Sequence, residues 1–208
     1  MSDETYCYPP DFTVLRNKLN IRDAESLDRA ERLIVQNRSQ QGVPSGDFDL
    51  PHLKAIHRHL FGAVYDWAGK VRTVEISKGD SQFQPKSFIE AGMKDIHGRI
   101  VAAGYFKGTD RDIFAQRGGE IIGDLNHVHP FREGNGRTQR LFLKQLADRA
   151  GHRFDIRKLD RDMWMEASAR ANDCDYTLMQ ESIRGALTGD RSRSGKRIAR
   201  ARDTGRDR

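Results

Sequence analysis

Apolar residues recur at helical spacing through most of the chain. Leu53, Ile56, His57, Leu60, Phe61 and Val64 form one such stripe, and Leu50-Pro51 opens its helix. Proline suits a first-turn position because its missing N–H has no partner there anyway. Trp67-Ala68-Gly69 ends the segment. The same periodicity predicts short helices over Val14–Asn20 and Ser26–Asn37, and longer ones over Phe88–Ala103 and from Asp110 to about His127. In the last of these, Ile113, Phe114, Ile121, Ile122 and Leu125 share a face, and Gly118-Gly119 permits close packing. A strong helix is predicted over Asn135–Ala150, with Leu141, Phe142 and Leu146 inward and Gly151 as its stop. Leu159–Ala171 and Asp175–Leu187 complete the pattern. One stretch departs from it. Residues 71–85 place Val71, Thr73 and Glu75 opposite Arg72, Val74 and Ile76 ahead of the turn residues Lys78-Gly79-Asp80. That alternation predicts a small β-hairpin, the one convincing strand signal. The fold class expected is therefore all-α with a single hairpin.

Charge changes the picture only at one end. Of 36 Lys and Arg and 30 Asp and Glu, residues 191–208 hold eight and two, so residues 1–190 carry 28 of each. The chain reads as a formally neutral body, 1–190, and a basic tail, 191–208, whose near-lack of apolar residues predicts disorder. A neutral body argues against a nucleic-acid-binding fold, which would carry basic residues on folded elements. Nucleic acid is then a partner only for the tail. Cys7 and Cys174 make no disulfide framework. The acidic start Met1-Ser2-Asp3-Glu4 is unlike a secretory signal, and no apolar stretch approaches the roughly 18 residues of a membrane span. A cytoplasmic protein with no membrane partner is expected.

The chemistry concentrates in His129-Pro130-Phe131-Arg132-Glu133-Gly134-Asn135-Gly136-Arg137-Thr138-Gln139-Arg140. Pro130 is expected to push His129 out of the helical region into an extended conformation, presenting the imidazole from a loop. Gly134 and Gly136 flank Asn135 at a helix start, where backbone N–H groups can converge on an anion. Arg137 and Arg140 are three apart on the first turn, where each cation is disfavoured by about 0.3–1 kcal/mol. A polyphosphate between them resolves that conflict. Glu133, a carboxylate beside an anion site, then calls for a divalent cation, and Mg²⁺ is typically held by one or two carboxylates plus phosphate oxygens. His129 is the group that can take a proton near neutral pH.

Other motifs fail. GxxxxGK[ST] is absent, and a dinucleotide fingerprint needs glycine where Gln139 stands, after a strand rather than a helix. His57 and His59 fall on different faces of a helix with no HExxH or CxxC nearby, which argues against zinc and makes His57 a core or supporting histidine.

The twelve-residue string matches HPFx[DE]GNGRxxR, the signature of the Fic family, at every defined position. Residues 49–83 resemble the family's helix leading into its flap hairpin, and residues 166–176 its helix after the active site. The similarity covers roughly residues 10–188. It implies a compact helical domain with one β-hairpin flap over the active-site loop. It also implies transfer of AMP from ATP to a hydroxyl side chain of a target protein. In that reading His129 is the general base and Glu133 holds Mg²⁺. Gly134, Asn135 and Gly136 bind phosphates, and Arg137 and Arg140 bind the leaving phosphates. Lys78 and Gly79 of the flap border the nucleotide, and hairpin 71–85 pairs with an extended segment of the target. Asn172 and Tyr176 are candidates for an adenine pocket or for packing.

Many family members are held off by a glutamate in an [ST]xxxE[GN] helix, pairing with the residue equivalent to Arg140. Ser26-Leu27-Asp28-Arg29-Ala30-Glu31 places its glutamate one residue too far, followed by Arg32. A small antitoxin supplying the glutamate to Arg140 is expected instead, with the chain the toxin half of a pair acting on a type II topoisomerase, DNA gyrase or topoisomerase IV. Transfer of another group (a different nucleotide, phosphate or phosphocholine) and a non-enzymatic nucleotide-binding adaptor remain as alternatives.

Overall fold

The computed structural model describes residues 4–78 and 81–190. Predicted tail 191–208 and Gly79 lie outside the described residues. Seven α-helices appear among the described residues: α1 (Ala24–Gln40), α2 (Leu50–Phe61), α3 (Ile89–Ala102), α4 (Arg111–Val128), α5 (Asn135–Ala150), α6 (Arg161–Ala171) and α7 (Thr177–Ala186). Contacts divide the described residues into two units. The first comprises those up to His97 together with Leu125–Phe142, and the second comprises Gly98–Asp124 and those from Leu143 onward.

In the first unit, Asp23 and Asp49 cap α1 and α2 by accepting from the amides of Ser26 and His52, and Pro51 lies in the first turn of α2. Such caps satisfy donors that the helix itself cannot. The α2 stripe is buried as its spacing predicts: Leu53, Ile56, His57, Leu60, Phe61 and Val64 are each at most 1% exposed. Removing side chains of this size from water stabilises by about 1.5–3 kcal/mol each. Phe131, fully buried, carries the motif loop into the same core.

The predicted helix over Val14–Asn20 does not form. Cys7 and Leu15 make an antiparallel bridge instead, and the Tyr8 and Arg16 amides donate to Val14 and Tyr6 carbonyls, both at 2.8 Å. Asn17 is the cause. Its side chain donates to the Leu15 and Ile21 carbonyls and accepts from the Ile21 amide, giving the backbone an alternative to a helical ladder.

The hairpin is present but shorter than the 71–85 alternation predicts. β1 (Ser77–Lys78) pairs antiparallel with β2 (Ser81–Gln82), in register Ser77 with Gln82 and Lys78 with Ser81. Below those pairs the two legs are joined through the Arg72 side chain, which donates to the Val74 and Gln84 carbonyls.

In the second unit α6 packs with α7, and α6 is capped by Asp160. A second small sheet, β3 (His152–Phe154) with β4 (Leu187–Asp190), has no counterpart in the sequence reading. Its strands are three and four residues long, too short for an alternation to stand out. Gly119 does allow close approach, since a Cβ there would meet Gln180 at 2.5 Å, whereas at Gly118 the nearest atoms are 3.7 Å away. Of the residues read as one face of α4, Phe114, Ile121, Ile122 and Leu125 are buried, whereas Ile113 is 45% exposed. Gly151, at φ +99°, ends α5 as predicted. Among the described residues no helix is long and apolar enough to cross a membrane.

Candidate active site

His129 follows directly on α4. It is not extended, as Pro130 predicts, but left-handed at φ +43°. The reason lies in how α4 ends. The His129 amide still donates to the Leu125 carbonyl at 3.2 Å, so His129 is the left-handed residue that terminates the helix, a place glycine usually takes. Holding a non-glycine residue there costs roughly 1–3 kcal/mol, which the surroundings must offset. They do so on two sides. The ring stacks on Phe83, with centroids 3.7 Å apart, and Nδ1 lies 3.0 Å from the Asn126 carbonyl. A carbonyl only accepts, so Nδ1 carries the hydrogen and the lone pair is left on Nε2. The half-buried imidazole is thereby set up as a base through Nε2.

The loop then descends into the core. The Asn135 side chain closes it, with Oδ1 accepting from the Phe131 amide at 2.9 Å and Nδ2 donating to the Phe131 carbonyl at 2.7 Å. The carboxamide of Asn135 is thus committed to the loop, and what it can offer an anion is its amide at the start of α5. Gly134 has φ +85°, and a Cβ there would sit 2.4 Å from the Phe61 ring, so glycine is required twice over. Gly136 is different: a Cβ added there meets nothing within 4 Å. The first-turn amides of α5 have no partner within the helix, so this open ground is where an anion can approach them.

His57 holds the loop from beneath. It is fully buried, stacked on Phe131 at 3.9 Å and on Phe61 at 4.7 Å. The Gly69 amide donates to its Nδ1 at 2.8 Å, so Nε2 carries the hydrogen and donates to the Glu133 carbonyl at 2.9 Å. Burial pushes its pKa down to about 4, partly offset by the hydrogen bond to Glu133. His57 is therefore neutral at pH 7, the core histidine that its position on the α2 stripe predicts.

Glu133 is exposed and accepts from the Gly134 amide at 2.8 Å. Arg137 lies 3.2 Å from the same Glu133 oxygen, and its guanidinium sits 4.7 Å above the Phe61 ring. Arg140 turns back along α5, its Nε donating to the Gly136 carbonyl at 3.2 Å. Lys78 lies in β1, on the flap. In the second unit the Tyr176 hydroxyl donates to Asp124 at 2.5 Å, and Asn172 is the C-cap of α6.

Sequence reasoning missed two buried charges. Glu31 of α1 is 5% exposed; its Oε1 lies 2.5 Å from Arg137, and the Tyr65 hydroxyl donates to Oε2. Arg137 is thus clasped between Glu31 and Glu133. A signal was available, because Leu27, Glu31 and Val35 are the buried residues of α1 at a spacing of four, a lone carboxylate in an apolar stripe. Arg72 is the other buried charge, and it shares its face of the hairpin alternation with Val74 and Ile76.

Residues 47–147 match the model of the Fic/DOC family. The chain is 36% identical over 183 residues to a probable protein adenylyltransferase, y4lH, of Sinorhizobium fredii, covering 88% of this chain and 95% of that protein. The chain belongs to the Fic/DOC family. Another relative, the protein adenylyltransferase VbhT of Bartonella schoenbuchensis, is 41% identical over 182 residues, which cover 86% of this chain and 38% of VbhT. Among solved structures, an ADP-bound N-terminal Fic domain of a VirB-translocated Bep effector from Bartonella quintana superposes with a TM-score of 0.81 at 26% identity, covering 92% of this chain and 98% of that one. The helical architecture and the single flap are those of Fic domains.

Proposed function

We propose that the chain is a protein adenylyltransferase, transferring AMP from ATP to a hydroxyl side chain of a target protein. The observation that carries this reading is the fixed tautomer of His129: Nδ1–H is tied to the Asn126 carbonyl, so Nε2 is the proton acceptor. The names of the relatives and the ADP bound to a related domain support it. In the reaction, Nε2 takes the proton of the acceptor hydroxyl as that oxygen bonds to the α-phosphorus. The bond from the α-phosphorus to the β-phosphate oxygen breaks, and pyrophosphate leaves. The amides of Asn135 and Gly136 are assigned to the phosphates, where aligned N–H groups stabilise developing charge, and Gly134 shapes that turn while its own amide is held by Glu133. Arg140 and Arg137 are assigned to the leaving phosphates. Arg137 reaches them from between two carboxylates, so it acts as a held charge rather than a mobile one.

Mg²⁺ fits at Glu133. That carboxylate is exposed beside the glycine-lined helix start, and no group of three or more His, Cys, Asp or Glu side chains that could hold a metal occurs among the described residues. Glu133 would hold the ion together with phosphate oxygens, and the ion would shield phosphate charge. Lys78 and Gly79 border the nucleotide in this reading, and the flap receives the target's acceptor segment as an added strand.

The finer reading is a toxin acting in the cytoplasm on a type II topoisomerase, DNA gyrase or topoisomerase IV, and inhibited in trans by a small antitoxin whose glutamate reaches Arg140. It is supported by the lack of an [ST]xxxE[GN] stretch and by Glu31, whose carboxylate is engaged by Arg137 and Tyr65. Incubation of the protein with a cell lysate and labelled ATP tests the activity. Label from the α-phosphate should enter a protein band and be lost in His129→Ala. Label from the γ-phosphate would instead make the chain a phosphotransferase. Expression alone should arrest growth, and co-expression with the neighbouring small open reading frame should restore it. Equal growth in both, with the protein present, would remove the toxin assignment.

A further inference from the structure

Arg72 stands at the foot of the flap with its side chain wholly out of solvent. A buried guanidinium is costly unless its N–H groups are satisfied, because water no longer solvates them. Here Nε donates to the His129 carbonyl at 2.9 Å, Nη1 to the Val74 carbonyl at 2.8 Å, and Nη2 to the Gln84 carbonyl. The Glu75 carboxylate lies 3.2 Å from Nη1 and is itself more than half exposed. The Arg72 amide adds a bond to the Pro130 carbonyl at 2.9 Å. One residue therefore gathers carbonyls from the rising leg of the flap, its falling leg and the two consecutive loop residues His129 and Pro130. The Val74 and Gln84 carbonyls, one on each leg beyond the paired strands, are bridged by this side chain.

The partners are mostly neutral carbonyls set at different angles. Only a planar fork with several N–H groups reaches them at once, so lysine cannot substitute. Stacking of Phe83, just before Gln84, on the His129 ring places a second contact between the falling leg and the base.

We infer that Arg72 is a positioning residue for AMP transfer, holding the His129 backbone and both legs of the flap in one frame so that Nε2 meets the acceptor hydroxyl docked on the flap. This rests on the adenylyltransferase reading of the same site. Arg72 makes none of the contacts assigned to phosphate, so its loss should separate chemistry from nucleotide binding.

Arg72→Lys tests this with three readouts. Calorimetry should give ATP affinity within about twofold of wild type, while AMP transfer at saturating ATP falls about 10- to 100-fold, as expected for a base displaced on the ångström scale. The ring resonances of His129, followed by NMR in the same protein, should shift. Wild-type transfer would overturn the inference, as would equal losses of ATP binding and transfer. An unmoved His129 resonance would also overturn it, even if the wild type transfers no AMP and the function assigned above is what fails. If Arg72→Lys does not fold, Glu75→Gln removes the charged partner at an exposed position. It should lower transfer severalfold and keep ATP binding, and a wild-type rate there overturns the inference.

Discussion

The two ends of the motif loop are held by different means. At the phosphate end, Glu133 to Asn135, the fasteners are core-like. A neutral histidine lies between aromatic rings, a carboxamide closes on Phe131, and a glycine packs against Phe61. At the catalytic end, His129 and Pro130 hang from Arg72 and lean on Phe83, both of which belong to the flap. The phosphate end is built into the first unit's interior, while His129 is tied to the flap, the element to which the proposed reaction assigns the target. Damage at the first end should therefore appear as lost stability, and damage at the second as lost chemistry with the fold kept.

Gly134→Ala should give the largest loss of stability. It forces an L side chain into a positive φ and into the Phe61 ring, at a cost of about 2–4 kcal/mol in urea unfolding. An unchanged midpoint would mean that the phosphate end is not packed as described.

Next comes the pH dependence from His57. Its folded pKa, about 4, lies below the ordinary 6.5, so the folded protein excludes a proton that the unfolded chain takes up. That stability is complete above pH 6.5 and is lost as the pH falls toward 4, up to about 3 kcal/mol in all. Urea midpoints measured from pH 7 to 4.5 should fall in the wild type and stay flatter in His57→Asn. Equal slopes would contradict the role given to His57. Carboxylates such as Asp155, held down to about 2 by Arg157, act at lower pH and leave that window clear.

Glu31→Gln should cost less, about 1–3 kcal/mol. That lies at or below the range for breaking a fully buried pair, because Arg137 is about a quarter exposed and keeps Glu133. Gly136→Ala should have the smallest effect on the fold. The added methyl meets nothing, and alanine favours a helix by up to about 1 kcal/mol over glycine. Thermal unfolding should be unchanged or slightly raised, while ATP binds about tenfold more weakly, a cost of about 1.4 kcal/mol. Unchanged ATP affinity would move the phosphates away from this turn.

What could be read from the chain follows from how local each feature is. The α2 stripe and α5 with its glycine stop are local periodicities, and both were legible. So was the motif loop, because its residues are contiguous. Val14–Asn20 misled because the helical spacing of apolar residues does not register a side chain, Asn17, that competes for the backbone. The conformation of His129 misled because the ending of α4 outweighs the push from Pro130. Glu31 and Arg72 show the remaining gap. Each is a charge on an apolar face, which is visible in the sequence, but its partner is about 100 or about 60 residues away and only the fold supplies it.

The most direct measurement compares ATP binding and AMP transfer in His129→Ala. ATP should bind within about twofold of wild type, because the proposed reaction gives the imidazole no contact with the phosphates. Transfer should fall by about 10²- to 10⁴-fold, the contribution of a positioned base. Transfer near the wild-type rate, or loss of ATP binding in step with transfer, would contradict the assignment of His129 as the base.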